Sequence, residues 1–195
     1  MERTRSRRAA ATVLIALIVG VVGGWALSRS SDDVDAKLTG KDRGGVQDPT
    51  ISTNADTAGQ KFGFAELTAV ADGSTVTPSL GNRPTVVNFW FSTCEPCRRE
   101  MPELAAASDR YAGRVDFIGI NPNDTPESAR AFMADHAVTY PNFLDGSGNQ
   151  LTLSKVGTMP TTLFIDATGT IVSMHAGELT KKEIDDSITG ILPQG

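Results

Sequence analysis

The sequence predicts an α/β fold in which a central sheet is flanked by helices. Two apolar strand patterns, residues 84–91 and 114–121, are each followed by a segment with helical periodicity. A chain that alternates strands and helices buries both by covering a sheet with helices on its two faces. A third observation is that both cysteines of the chain, Cys94 and Cys97, stand between the first of these strands and its helix.

The first 28 residues differ from the rest of the chain. Residues 1–8 include four arginines, and residues 9–28 are a run of 20 residues without a charge. A helix of that length spans about 30 Å, enough to cross a bilayer. Because basic residues stay on the cytoplasmic side, we expect a membrane anchor at 9–28 with the remainder of the chain outside the cytoplasm. The alternative is a cleaved signal peptide, since residues 26–28 loosely fit a cleavage site.

Residues 29–60 are polar and have no apolar periodicity, which is typical of a flexible tether. We therefore expect the folded domain to occupy residues 61–195. That domain has ten basic and sixteen acidic residues, a net charge of −6 (10 − 16). An acidic domain gives no support for nucleic-acid binding.

The strands and helices of this domain follow from its apolar pattern. Residues 62–70 predict a strand, and a turn leads to a second short strand that ends at Val76. Residues 84–91 are almost continuously apolar, as in a central strand that is buried on both faces. Apolar residues at i, i+3 and i+4 from Met101 predict a helix over residues 97–111.

The second half of the domain continues the alternation. The elements expected there are a strand at 114–121, a helix at 124–138, two strands at 161–177 and a helix at 180–192. Asp124 or Thr125 is the expected N-cap of the first helix, with Pro126 in its first turn. Thr180 and Glu183 have the spacing of a capping box at the last helix. The predicted order is β-α-β-α-β-β-α after an N-terminal pair of strands.

The position of Cys94 at the start of a helix favours thiol chemistry. The free amides and the dipole of a helix N-terminus stabilise an anion. Lowering a thiol pKa from about 8.5 to about 7 requires roughly 2 kcal/mol, much of which a helix end supplies. Cys97 lies one turn further, close enough for a disulfide. We expect Cys94 to be the exposed nucleophile and Cys97 to resolve its mixed disulfides, with Pro96 in the first turn, where no amide donor is needed.

Three neighbouring side chains bear on these thiols. Glu100 lies three residues beyond Cys97, and a carboxyl group beside a buried thiol can take or return its proton. The alternative is that Glu100 is a solvated acid of the helix. Glu95 is an anion that opposes a very low thiol pKa, and Trp90 is expected to pack beside the site. Further along, Pro160 precedes an apolar strand, where a proline must stand at the start or the edge.

These motifs resemble a known family. The segments VVNFWFSTCEPCRREMPEL and TMPTTLFIDATGTI, with the apolar N-terminal run, resemble the membrane-anchored thioredoxin-like thiol–disulfide oxidoreductases of the TlpA/ResA type. This family includes the reductases of cytochrome c maturation. The resemblance implies a thioredoxin fold, a central mixed sheet flanked by helices, with an N-terminal strand extension. It implies a redox-active disulfide with no cofactor or metal.

The resemblance also assigns individual residues. It makes Pro160 the cis-proline that packs against the disulfide, with Met159 flanking it, and it makes Pro102 a kink in the helix. It matches Glu100 to the acid near the site of many relatives. The residues expected to contact a partner protein are Trp90, Thr93, Glu95, Pro96, Met159 and Pro160.

Two positions depart from related proteins. Thr93 stands where relatives usually have tryptophan, which changes the rim that faces a partner. Asn88 stands where cytosolic thioredoxins carry a buried aspartate. Asparagine at this position is frequent in the TlpA-type branch. Because asparagine cannot act as a base, this replacement directs attention to Glu100.

The expected function is thiol–disulfide exchange with exported proteins at the cell membrane. In one direction the protein reduces disulfides, such as those of apocytochrome c, and receives electrons from a membrane thiol donor. In the other direction it forms disulfides in exported proteins, as DsbA does. A third reading is a copper carrier that binds through the cysteines and His136 or His175, although such carriers separate their cysteines by three residues rather than two.

Overall fold

The structure is a computed structural model that describes residues 54–193. The expected cytoplasmic segment 1–8, the expected anchor 9–28 and residues 29–53 of the expected tether lie outside the described residues. Within the described part of the chain, no helix is both long enough and apolar enough to span a membrane.

The strands of residues 54–193 form one mixed sheet. They are β1 Leu67–Ala69, β2 Thr75–Val76, β3 Thr85–Phe89, β4 Asp116–Asn121, β5 Asn142–Leu144, β6 Thr161–Ile165 and β7 Ile171–Ala176. Their order across the sheet is β2-β1-β5-β4-β3-β6-β7. β3, β4 and β5 are parallel, whereas β6 is antiparallel to both β3 and β7. β1 and β2 extend the sheet in antiparallel pairs beside β5, as the expected N-terminal strand extension.

The helices are α1 Glu95–Arg110, α2 Pro126–Asp135, α3 Asn149–Ser154 and α4 Lys181–Ile191. The N-cap of α2 is Thr125, whose hydroxyl accepts a hydrogen bond from the Ser128 N–H. The capping box predicted for α4 is present, because Thr180 and Glu183 bond each other's backbone N–H groups. The predicted α1, α2 and α4 are therefore confirmed, with ends that differ by a few residues.

β5 and α3 are two elements that the sequence does not predict. β5 has three residues and α3 has six, so neither shows a readable period. α3 is bounded by Gly148 and Lys155, whose φ angles of 70° and 56° place both in the left-handed region. The predicted strand at 62–70 is also shorter than expected, because Leu67–Ala69 alone join the sheet.

Consecutive residues of the central strands pack on opposite faces of the sheet. Val86 lies in the core cluster that includes Leu104 of α1 and Ile188 of α4, whereas Val87 lies in the other cluster. The second cluster is completed by Phe62 and Phe64 of the N-terminal segment and by Leu151 of α3, which are partly buried against it. Long helices thus cover one face, and a short helix with an irregular segment covers the other.

The folded domain begins earlier than the sequence predicts. Residues 54–60 were assigned to the tether, yet the Gly59 N–H donates to the Ile171 carbonyl over 2.8 Å and the Ile171 N–H donates to the Gln60 carbonyl over 2.9 Å. The side chain of Thr57 is buried with them. The tether prediction is wrong for this segment, because its backbone pairs with Ile171 of β7 and the Asn54 side chain bonds the loop before β6.

Candidate active site

Cys94 and Cys97 form a disulfide at the start of α1, with their Cα atoms 5.2 Å apart. Cys94 is the N-cap of the helix, and its Sγ accepts a hydrogen bond from the Cys97 N–H over 3.3 Å. Glu95 and Pro96 occupy the first two helical positions, where the proline costs no hydrogen bond. The backbone that would stabilise a thiolate on Cys94 is therefore already in place in the oxidised protein.

The expected exposure of Cys94 is wrong for this oxidised state. Cys94 is 6% exposed and Cys97 is 1% exposed. The disulfide holds the Cys94 sulfur against the helix start, so the bond presents little surface. Of the two residues, Cys94 keeps the larger exposed fraction, and the neighbouring Thr93 and Glu95 are exposed around it.

The loop that leads into Cys94 is fixed by Asp124, which the sequence predicts only as a possible N-cap. One Asp124 oxygen accepts from the Ser92 N–H over 2.7 Å and the other accepts from the Ser92 hydroxyl over 2.8 Å. Asn121, the last residue of β4, donates its side-chain amide to the same carboxylate over 2.6 Å. This contact joins the end of β4 to the residue two positions before Cys94, and no local sequence signal reveals it.

The peptide bond between Met159 and Pro160 is cis, as the resemblance implies. Pro160 is buried, and the Gly177 N–H donates to its carbonyl over 2.8 Å. Met159 is partly buried and packs against both core clusters, one of which contains the two cysteines. The loop at residues 157–160 is therefore anchored at its C-terminal end on the strand pair β6–β7.

Glu100 is not the solvated helix acid of the alternative reading, because it is only 1% exposed. The Asn88 amide of β3 donates to Glu100 Oε1 over 3.2 Å, and the Thr162 hydroxyl of β6 donates to the same oxygen over 3.2 Å. Asn88 also donates to Thr162 over 3.0 Å. Three elements thus converge on one carboxyl oxygen, one helical turn beyond Cys97.

Burial raises the pKa of Glu100 from 4.5 to about 7, and the hydrogen bond from Thr162 acts in the opposite direction. Among the described residues, neither Glu100 Oε2 nor Asn88 Oδ1 has a hydrogen-bond partner, although both are buried. An unpaired buried oxygen disfavours the carboxylate more than the acid. The group can therefore hold or release a proton near neutral pH.

The two arginines of the first turns of α1 each contact a group other than the disulfide. Arg98 donates to the Ser92 carbonyl over 3.2 Å, and its guanidinium lies 5.7 Å from the centre of the Phe132 ring. Arg99 forms a salt bridge of 2.6 Å with Glu178. The charge of Arg99 is thus paired with a carboxylate, and the charge of Arg98 lies against an aromatic ring.

The prediction that Trp90 contacts a partner protein needs correction. Trp90 is 0% exposed, its Nε1 donates to Asn142 Oδ1 over 2.8 Å, and its ring stacks on Phe132 with the centroids 4.7 Å apart. A side chain without exposed surface cannot touch a partner, so Trp90 supports the site from beneath. Pro96 and Met159, by contrast, are only partly buried.

The histidines of the copper-carrier reading lie on two different elements. His136 ends α2 and stacks on Phe132 with the centroids 4.0 Å apart. His175 lies on β7 opposite Thr162. Within residues 54–193, no three His, Cys, Asp or Glu residues are grouped so that they could hold a metal ion.

Comparison with known proteins places this site in a family. Residues 53–190 match the redoxin family. The chain is 30% identical over 128 residues to the thioredoxin-like protein YneN of Bacillus subtilis, covering 64% of this chain and 74% of that protein. It is 30% identical over 139 residues to the thiol-disulfide oxidoreductase ResA of Oceanobacillus iheyensis, covering 70% of this chain and 72% of that protein.

A solved structure supports the fold. The crystal structure of a thiol:disulfide interchange protein of the thioredoxin family from Chlorobium tepidum matches with a TM-score of 0.62 at 24% identity, over 71% of this chain and 100% of that one. The α/β fold predicted from the sequence is therefore a thioredoxin-like fold. Since the family match spans most of the chain and relatives are 30% identical to it, the chain belongs to the redoxin family and is a protein thiol–disulfide oxidoreductase of the TlpA/ResA type.

Proposed function

We propose that this oxidoreductase is a reductase of exported proteins, which exchanges its Cys94–Cys97 couple with disulfides such as those of apocytochrome c. The observation that carries the proposal is the buried Glu100, held by Asn88 and Thr162 one helical turn beyond Cys97. The relatives named ResA are thiol-disulfide oxidoreductases, which agrees with the exchange chemistry. That name does not state whether disulfides are reduced or formed, so we infer the direction from the residues of the site.

The direction of exchange depends on how strongly the site stabilises a thiolate. A strong oxidant such as DsbA stabilises its reduced form through a thiol pKa of about 3.5. Here the helix N-terminus supplies about 0.5–2 kcal/mol, whereas the carboxyl groups of Glu95 and Glu100 oppose a nearby anion. Arg98 is bonded to the Ser92 carbonyl and Arg99 is paired with Glu178. The reduced form therefore gains little, and the couple favours the disulfide, as a reductase requires.

The exchange proceeds in two balanced steps. The Cys94 thiolate attacks one sulfur of the partner's disulfide, and the partner's other sulfur leaves as a thiolate. Cys97 then loses its proton to Glu100 and attacks the Cys94 sulfur, which releases the second partner sulfur and leaves the disulfide seen here. Two electrons pass to the partner, and a membrane thiol donor returns them. Thr93, Glu95, Pro96, Met159 and Pro160 form the rim that contacts the partner.

The N-terminal sequence supplies the proposed location. Residues 1–8 remain cytoplasmic, residues 9–28 anchor the chain, and the domain from residue 54 onward lies outside the cytoplasm. Protease added to intact protoplasts should digest the domain, whereas a cytoplasmic control protein survives. Recovery of the full chain after that treatment would reject the arrangement.

The reduction potential tests the proposed direction. We expect the full chain, equilibrated in glutathione or dithiothreitol buffers, to give a potential closer to that of thioredoxin, about −270 mV, than to that of DsbA, about −120 mV. A value near the DsbA figure would overturn the reductase assignment in favour of disulfide formation.

A further inference from the structure

We propose that Asn54 is a positioning residue that clamps the cis-proline loop, residues 157–160, from the segment that precedes the domain's first strand. The proposal rests on the proposed function in one respect, namely that Met159 and Pro160 contact the partner protein. Asn54, which lies in the segment predicted as a tether, would thus help to set the affinity for protein substrates.

The side chain of Asn54 makes four hydrogen bonds around this loop. Its Oδ1 accepts from the Gly157 N–H over 2.8 Å, from the Thr158 N–H over 3.1 Å and from the Thr158 hydroxyl over 3.3 Å. Its Nδ2 donates to Thr161 Oγ1 over 2.7 Å. A primary amide offers an acceptor and a donor on one rigid plane, so asparagine can hold both ends of the loop together.

The loop has little else to hold its N-terminal half. The Val156 N–H donates to the Leu151 carbonyl before it, and the Pro160 carbonyl is held after it. Between these two points, the N–H groups of Gly157 and Thr158 donate to Asn54 Oδ1, which is their acceptor within the part of the chain that the structure describes. Gly157 and Thr158 are exposed, and glycine gives the backbone wide freedom. Without the clamp, the segment that sets the position of Met159 loses its fixed conformation.

Thr161 extends the clamp into the strand. Its hydroxyl donates to the Thr158 carbonyl over 2.8 Å while it accepts from Asn54. Thr161 is fully buried at the start of β6, so it is a rigid point of attachment. The loop is thereby held from Asn54 on one side and from β6 on the other.

Nearby polar side chains of the same segment bond differently. Asp56 accepts from the Ala58 N–H, two residues away, and is exposed. It therefore offers a matched control, because its replacement perturbs the same segment without touching the loop.

The test compares a protein disulfide with a small disulfide. The full chain reduces insulin with dithiothreitol as the electron source, and the rate with the small disulfide is measured with the full chain reduced beforehand and freed of dithiothreitol. Insulin must dock on the rim, whereas 5,5′-dithiobis(2-nitrobenzoic acid) needs only access to the thiol. We expect Asn54→Ala to raise the KM for insulin about five-fold, the loss of roughly 1 kcal/mol typical of a hydrogen bond. We expect kcat and the rate with the small disulfide to stay within about two-fold.

Two further variants complete the test. Asp56→Ala should leave the KM for insulin, the kcat and the rate with the small disulfide unchanged. Asn54→Asp keeps the acceptor for Gly157 and Thr158 but loses the donor to Thr161, so its KM for insulin should rise less than that of Asn54→Ala. An unchanged KM in Asn54→Ala, or an equal loss with both disulfides, would overturn the clamp. If instead the unmodified chain exchanges with neither disulfide, the proposed function fails.

A measurement on the unmodified chain covers the case in which Asn54→Ala does not fold. The clamp predicts that the amide hydrogens of Gly157 and Thr158 exchange with solvent more slowly than the unstructured rate, despite their exposed positions. Exchange of both at the unstructured rate would reject the clamp.

Discussion

Replacing Glu100 by glutamine should remove a loss of stability that the oxidised protein suffers as the pH rises. Glutamine keeps the shape of the side chain and its acceptor oxygen for Asn88 and Thr162, but it cannot ionise. The glutamine variant should therefore differ from the unmodified protein in the pH dependence of its unfolding free energy more than in its fold.

The magnitude follows from the pKa of Glu100. Burial raises this pKa from 4.5 to about 7, so the folded protein binds the proton more tightly than the unfolded chain. The resulting stabilisation is fully present below pH 4.5 and is lost as the pH rises through about 7. A difference of about 2.5 in pKa corresponds to roughly 3 kcal/mol. The unmodified protein should lose stability of that order between pH 4.5 and pH 8, and the variant should not.

Urea unfolding of the oxidised full chain, followed by near-ultraviolet circular dichroism at pH 5 and pH 8, measures this difference. Glu103→Gln is the matched control, since Glu103 lies on the same helix and is partly exposed. Parallel pH profiles for Glu100→Gln and the unmodified protein would refute the reasoning. They would mean that Glu100 does not carry a raised pKa in the folded state.

The same substitution should also act on the reduced thiols. A charge about 6 Å away in a medium of effective dielectric constant about 20 contributes roughly 3 kcal/mol. Glu100→Gln should therefore lower the thiol pKa values by one to about two pH units. Thiolate absorbance followed against pH measures this change, and superimposable titrations would withdraw the proton-transfer role of Glu100.

Three further predictions concern the thiols and the packing beneath them. Limiting iodoacetamide should label Cys94 before Cys97 in the reduced protein, because Cys94 is the helix N-cap; preferential adducts on Cys97 in mass spectra would reverse the roles. Cys97→Ala should accumulate thiol-sensitive adducts with membrane or exported proteins, and equal adducts in Cys94→Ala would argue against resolution by Cys97. Gly119→Ala should destabilise the domain by about 1–3 kcal/mol in urea unfolding, since the added Cβ meets the Asn142 side chain. Gly146→Ala, with open space around the added atom, is the control, and equal effects would refute the packing argument.

Local sequence was sufficient for the elements that carry the disulfide. The apolar run before Cys94 predicted β3, the periodicity after Cys97 predicted α1, and the spacing of the cysteines predicted their bond. Each of these three features depends on residues that are close together in the sequence, so the local order of residues is enough to predict it. The capping box of α4 was readable for the same reason.

The tertiary structure decided what depends on residues far apart in the chain. Glu100 is buried because β3 and β6 bring Asn88 and Thr162 to it, 12 and 62 residues away. Trp90 was expected to contact a partner protein, but its ring is buried and stacks on Phe132 of α2. Neither environment leaves a periodic trace in the sequence.

Asn54 shows the same limit most clearly. In sequence it is one polar residue in a polar segment, and composition assigns it to a tether. In the structure it reaches residues 103 to 107 positions away and fills their hydrogen bonds. Composition gives only the average polarity of a segment, whereas a single side-chain amide that bonds two N–H groups and two hydroxyls depends on geometry that only the folded chain provides.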